Sequence, residues 1–137
     1  MNETYRKQLD YILSALTDMQ KALERNREGG DDAIFFYYAA QKKAEEVIET
    51  AIALNQNILY DDFNHMTKSY YDSFIDLDRL KVMSEEELKK LAGTAGFRNR
   101  LAHEYVELDP QITVKSMELL LKLYPPYIKA MMKYLAK

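Results

Sequence analysis

The chain is 137 residues long, 47% hydrophobic and 30% charged, with a formal net charge of -3. That size fits one domain spanning residues 1–137, and that balance is typical of a folded globular protein rather than a disordered or membrane-spanning one. Cysteine is absent, which excludes disulfide frameworks, thiolate zinc sites and cysteine nucleophiles and fits a reducing, cytoplasmic setting.

The first eleven residues contain Glu3, Arg6, Lys7 and Asp10 and no apolar run, so no secretory signal is expected there. Tyr5, Leu9, Ile12, Leu16, Met19 and Leu23 recur at threes and fours and predict a helix that ends near Gly29-Gly30. Asp31 and Asp32 follow as an N-cap and dipole-favourable charge for a second, long helix. Its stripe is Ile34, Tyr37, Ala44, Val47, Ile48, Ala51, Leu54 and Ile58; the apolar arc exceeds half the circumference, which predicts the central helix of a bundle. The polar stretch from Tyr60 to Lys68 predicts a loop or lid. Tyr70, Phe74, Leu77 and Leu80 predict a third helix. Ser84 and Glu87 form a capping box for a fourth, and Glu85-Glu86-Glu87 complements its positive end. Asp109-Pro110 starts a fifth helix, which Pro125-Pro126 should kink or split. Lys115, Glu118 and Lys122 interrupt the most apolar stretch, so no membrane span is expected. The expected architecture is all-α, an up-and-down bundle of four to five helices.

The fourth helix carries the chemistry. At about 100° per residue, Leu88, Leu91, Ala92, Ala95, Ala102 and Val106 share one face, with Asn99 in its middle and Arg98 and His103 flanking it. Polar groups on such a seam need partners. Gly93, Ala95, Gly96 and Ala102 suggest that another backbone approaches closely, although each glycine costs a helix roughly 1 kcal/mol. Arg98 and His103 are five residues apart, about 140° around a regular helix, so a symmetry mate is needed to bring an arginine towards a histidine. The small residues place Ala95, Asn99 and Ala102 in that two-fold interface.

The run Arg98-Asn99-Arg100-Leu101-Ala102-His103-Glu104-Tyr105 resembles the R-x4-6-H signature of HEPN ribonucleases, in the extended R-x4-H-x-Y form of HepT toxins. The serine cap, the glycine-bearing approach to Phe97 and the Leu108-Asp109 that follows are similar too, and the order of helices agrees along nearly the whole chain. The resemblance implies a HEPN-like fold and a metal-independent endoribonuclease with no cofactor, acting on RNA as the toxin of a toxin–antitoxin pair. Its composite site would form between two protomers of a homodimer. It implies that His103 is general acid or base, for which an ordinary imidazole pKa of about 6.5 is suited. Arg98 holds the scissile phosphate, Asn99 orients one of them, and Arg100 contacts backbone phosphate. Tyr105 is implied as the residue that a nucleotidyltransferase antitoxin modifies with adenylate, whose bulk and charge would block RNA.

Without the family, plainer readings stand. His103 is then a structural histidine, Arg98 a surface ion pair and Tyr105 a packing residue. His65 and Asp62 mimic a ligand spacing without completing a metal site, and loop solvation accounts for His65. The alternative function is a non-catalytic helical module that presents substrate to, or docks on, a nucleotidyltransferase.

Overall fold

A computed structural model describes residues 1–103 and 108–136. Its elements are α1 (Glu3–Arg27), α2 (Ala33–Phe63), α3 (Tyr70–Ile75), a 3-10 helix (Asp76–Leu80), α4 (Glu85–His103) and α5 (Pro110–Leu135), with no strand among the described residues. The all-α architecture matches the periodicity.

Inter-helix hydrogen bonds give the directions. Tyr5 Oη donates to Asp61, and Asn26 Nδ2 donates to the Ala33 carbonyl at 2.9 Å, so α1 and α2 are antiparallel. Arg27 pairs with Glu118 at 3.1 Å at one end, and Tyr134 Oη donates to Asp62 at 2.5 Å at the other, so α5 descends beside α2. α4 climbs between them, with Thr94 Oγ1 and Tyr124 Oη 2.9 Å apart. The result is up-down-up-down, with α3 and the 3-10 helix crossing the lower end.

Every residue of the α1 stripe is buried, and the α2 stripe is buried from Tyr37 to Ile58. Ile34 is the exception: the first turn of α2 meets α1 through Ala33 and Phe36, and Ile34 and Phe35 face away and are exposed. Asp32 stands at the N-cap position, but its side chain makes no capping hydrogen bond. A turn at Gly29 and Gly30, both with positive φ, joins the helices instead.

The expected loop from Tyr60 to Lys68 is shorter than its composition suggests. Residues 60–63 are the last turn of α2, because Asp61 and Asp62 are held by Tyr5 and Tyr134 from either side. Left-handed Asn64 (φ 51°) ends the helix, its N–H bonding the Leu59 and Tyr60 carbonyls, a geometry asparagine tolerates. His65 is not a solvated loop residue either: its Nε2 lies 2.7 Å from Asp76 Oδ2 and pins the connection to the 3-10 helix. The third helix tightens to 3-10 after Ile75, and Tyr70 of its stripe is exposed.

The capping box forms as expected, with Ser84 N–H donating to Glu87 Oε1 at 3.0 Å and Glu87 N–H to Ser84 Oγ at 3.1 Å. Asp109 caps α5 through the Gln111 and Ile112 N–H groups. The two prolines do not split α5. Both are exposed, while Tyr124 and Tyr127 beside them are fully buried and tied to Thr94 and to Asn55 (2.5 Å). Side-chain packing thus holds the helix across the two missing donors.

Ser84 holds the Glu87 carboxyl below the usual carboxylate range through its backbone N–H and then its hydroxyl. A carboxylate depressed in the folded state adds stability above its unfolded pKa and loses it as pH falls through the folded one. Because Glu87 is exposed, Glu87→Ala is expected to cost only about 0.5–1 kcal/mol at pH 7, a fall in Tm of about 2–5 °C. Calorimetry at decreasing pH should show the gap to wild type closing in the acid range.

Candidate active site

The buried face of α4 changes along its length. Leu88, Leu91, Ala92 and Ala95 pack into the bundle. Beyond Ala95 the buried residues are Phe97 and Leu101, about 160° around the helix from Asn99. Asn99 is therefore exposed rather than central to a buried face, Ala102 is half-buried, and His103 is exposed at the end. The C-terminal half of α4 leaves one side uncovered by its own subunit.

Arg98 is the most constrained of the motif residues. Its Nη2 and Nε donate to the same oxygen of Glu49, at 2.7 and 3.1 Å. Its guanidinium carbon lies 5.7 Å from the Tyr70 ring centroid, a cation–π distance. Nη1 reaches Asn99 Oδ1 at 3.4 Å. One edge is thus held by a carboxylate and one face by an aromatic ring, while Nη1 stands towards Asn99. The Arg98 side chain is 20% exposed, enough for an anion to reach it.

Glu45, one helical turn before Glu49, has its carboxyl pushed above the usual range, first by burial and next by the Glu49 charge; Arg98 pulls the other way. Glu49 escaped the sequence reading. The available signal was the Glu45/Glu49 pair itself, since like charges at i and i+4 destabilise a helix by a few tenths of a kcal/mol unless a cation compensates.

His103 has no hydrogen-bond or ion-pair partner among the described residues. Arg100 is exposed and folds back over Phe97, with 5.7 Å from guanidinium carbon to ring centroid. Tyr105 and Val106 lie outside the described residues.

Two expectations about close approach change. A Cβ added at Gly93 would meet nothing within 4 Å, and one at Gly96 only Arg100 Nη1 at 3.8 Å, so no other helix of this chain approaches either glycine. Ala95 is 3% exposed and belongs to the core, not to an accessible interface. A charge introduced there would strike the fold before any assembly.

Two grooves meet at Tyr70. One, of about 280 Å³, is lined by Glu49, Gln56, Tyr70 and Arg98. The other, of about 520 Å³, is lined by Lys68, Tyr70, Tyr71, Ala95, Gly96 and Asn99. Among the described residues no cluster of histidine and carboxylates is suited to a metal ion, and no helix is long and apolar enough to cross a membrane.

A family model described as ribonuclease HepT-like matches residues 12–131. The tRNA nuclease HepT of Aphanizomenon flos-aquae (strain 2012/KM1/D3) is 30% identical over 89 residues, which is 65% of this chain and 60% of that protein. The chain thus matches less than two thirds of that relative's length. Among solved structures, a tri-AMPylated Shewanella oneidensis HEPN toxin in complex with MNT antitoxin superimposes with a TM-score of 0.81, over 97% of this chain and 99% of that one, at 19% identity. A toxin–antitoxin structure with AMP-PNP gives 0.78 over 95% and 98%, also at 19% identity. These two likenesses establish a shared fold.

Removing the Glu49 charge should test the local electrostatics directly. In Glu49→Gln the Glu45 carboxyl is expected to titrate lower, though still raised by burial, as read by NMR of the side-chain carboxyl carbons. Because the Arg98 pair is partly exposed, the stability change should stay within about 1 kcal/mol.

Proposed function

The chain belongs to the family of HepT-like ribonucleases, and from that membership we propose that it is a metal-independent endoribonuclease and the toxin of a toxin–antitoxin pair. The observation that carries this reading is the uncovered C-terminal half of α4, which displays Arg98, Asn99 and His103 outside the core. Stability alone gives no reason to leave an exposed histidine without a partner among the described residues on the same bare face as Asn99.

The chemistry follows from the residue types. His103 takes the proton of an RNA 2'-hydroxyl; the 2'-oxygen attacks the adjacent phosphorus, the bond to the 5'-oxygen breaks and that oxygen takes a proton from solvent water, giving a 2',3'-cyclic phosphate and a 5'-hydroxyl. The protonated His103 then returns its proton to solvent. Arg98 neutralises the charge that builds on the phosphoryl oxygens, Asn99 orients it through Nη1, and Arg100 contacts a neighbouring phosphate. Glu49 fixes the guanidinium. Arg98 and His103 point about 140° apart, so the site is completed by a second copy, with Gly93 and Ala102 open to it and Asn99 at its margin. Tyr105, two residues beyond His103, is the proposed target of a nucleotidyltransferase antitoxin: its phenolic oxygen attacks the α-phosphate of ATP and pyrophosphate leaves. Cytoplasmic RNA is the substrate class, with transfer RNA the first to test, given the named activity of the relative.

One observation favours the alternative of a non-catalytic docking module: Glu49 already occupies two donors of Arg98, as in a structural ion pair. Cleavage assays decide between them. His103→Ala and Arg98→Ala are expected to lower RNA cleavage in the presence of EDTA by at least about 100-fold, with Tm changed by no more than a few degrees. Full activity in either variant removes that residue from the site, and an inactive wild-type protein returns the chain to the docking reading. Tyr105→Phe should stay folded and toxic, yet escape adenylate addition when the partner enzyme is co-expressed; mass spectrometry locates the modification. Gly93→Glu, at an open position, should produce monomers and end cleavage together; an active monomer overturns the composite site.

A further inference from the structure

The larger groove beside α4 is not used by the proposed acid–base chemistry. It opens between the start of α3 and the uncovered face of α4, and its 520 Å³ lies within the range of small-molecule sites. Tyr70 and Tyr71 are each 47% exposed at its wall. Lys68 stands at the same groove with no ion-pair partner among the described residues.

Its floor is Ala95, Gly96 and Asn99. Gly96 is glycine in mid-helix, at a cost of about 1 kcal/mol, yet an added Cβ would touch no packing element of the chain. Within this subunit, the absent side chain serves only to keep the groove open. Gly96, Asn99 and His103 lie within about 60° of one another around α4, and Gly96 to His103 is a rise of about 10 Å. The groove therefore runs along the helix face towards His103, while Arg98 lies on the far side of Tyr70.

We infer that this groove is a subsite for one base of single-stranded RNA, stacked on Tyr71, with Lys68 on the flanking phosphate and Asn99 leading the backbone towards His103. The inference rests on the ribonuclease reading above. A planar base fits a wall of exposed tyrosine and a floor kept low by Ala95 and Gly96, and stacking of this kind tolerates any base. Lys68 supplies the local positive charge that the net charge of -3 does not.

The test is binding of short labelled oligoadenylate and oligouridylate in the His103→Ala background, which leaves RNA uncut. Adding Tyr71→Ala should weaken both oligonucleotides about tenfold or more without altering the salt dependence. Tyr71→Phe, which keeps the ring, should stay within about twofold. Lys68→Ala should weaken binding and lower the slope against log salt by about one. Binding unchanged in Tyr71→Ala overturns the subsite, as does an equal loss in Tyr71→Phe. A shift in oligomeric state on Tyr71→Ala also overturns it, because a second copy of the chain then fills the groove. If wild type cleaves RNA while Tyr71→Ala binds normally, the subsite fails alone. If wild type does not cleave and His103→Ala does not bind, the ribonuclease reading fails and the subsite with it.

Discussion

α2 packs against every other helix, and several of its polar side chains find their partners on those helices. Four such pairings set the register of the bundle: Asp61 with Tyr5 of α1, Asp62 with Tyr134 and Asn55 with Tyr127 of α5, and Glu49 with Arg98 of α4. Apolar packing supplies most of the stabilisation but is nearly indifferent to small slides of one helix along another. The buried Asn55–Tyr127 bond is not indifferent, because a buried group left unpaired costs roughly 1–3 kcal/mol, and the three more exposed pairs add smaller terms in the same sense. The same kind of pairing that orders the fold therefore also fixes the arginine of the proposed site.

The Arg98–Glu49 pair joins stability to the proposed function with a modest energy. Both side chains are partly exposed, so an ion pair of this kind contributes about 0–1 kcal/mol. A phosphate can compete for the guanidinium at that cost, or can use the Nη1 side while Glu49 keeps its hold. A fully buried pair would have been too costly to disturb, and a fully exposed arginine would have arrived at the phosphate with its side-chain entropy still to lose.

α4 is built as two halves. Its first half is anchored by a capping box and a broad apolar face, so the helix forms and is placed without help from the motif. Its second half stays attached through Phe97 and Leu101 and through the hold of Glu49 on Arg98, and much of the remaining circumference from Gly93 onwards is free for polar groups and for two glycines. Their positions would weaken an isolated helix; here the anchored half carries that loss.

The sequence was informative wherever a feature is local. Helical periods, the Ser84–Glu87 box, the Asp109-Pro110 start and the central place of α2 depend on spacing within one segment, and the Arg98–Tyr105 motif is contiguous. What failed was non-local: the last turn of α2 looked like loop because the tyrosines that hold Asp61 and Asp62 come from the far ends of α1 and α5. Pro125-Pro126 looked like a break because the anchors of Tyr124 and Tyr127 lie on α4 and α2. Ala95 looked like interface and Asn99 like a buried centre because a helical wheel shows which residues share a face, not which neighbour covers it at each turn. Sequence by itself therefore determined the helices and the motif from which the site is proposed. Only the tertiary structure decided which side of α4 is bare, that Glu49 and Tyr70 hold Arg98, and that a groove leads along Gly96 and Asn99, since covering and pairing depend on where separate segments meet.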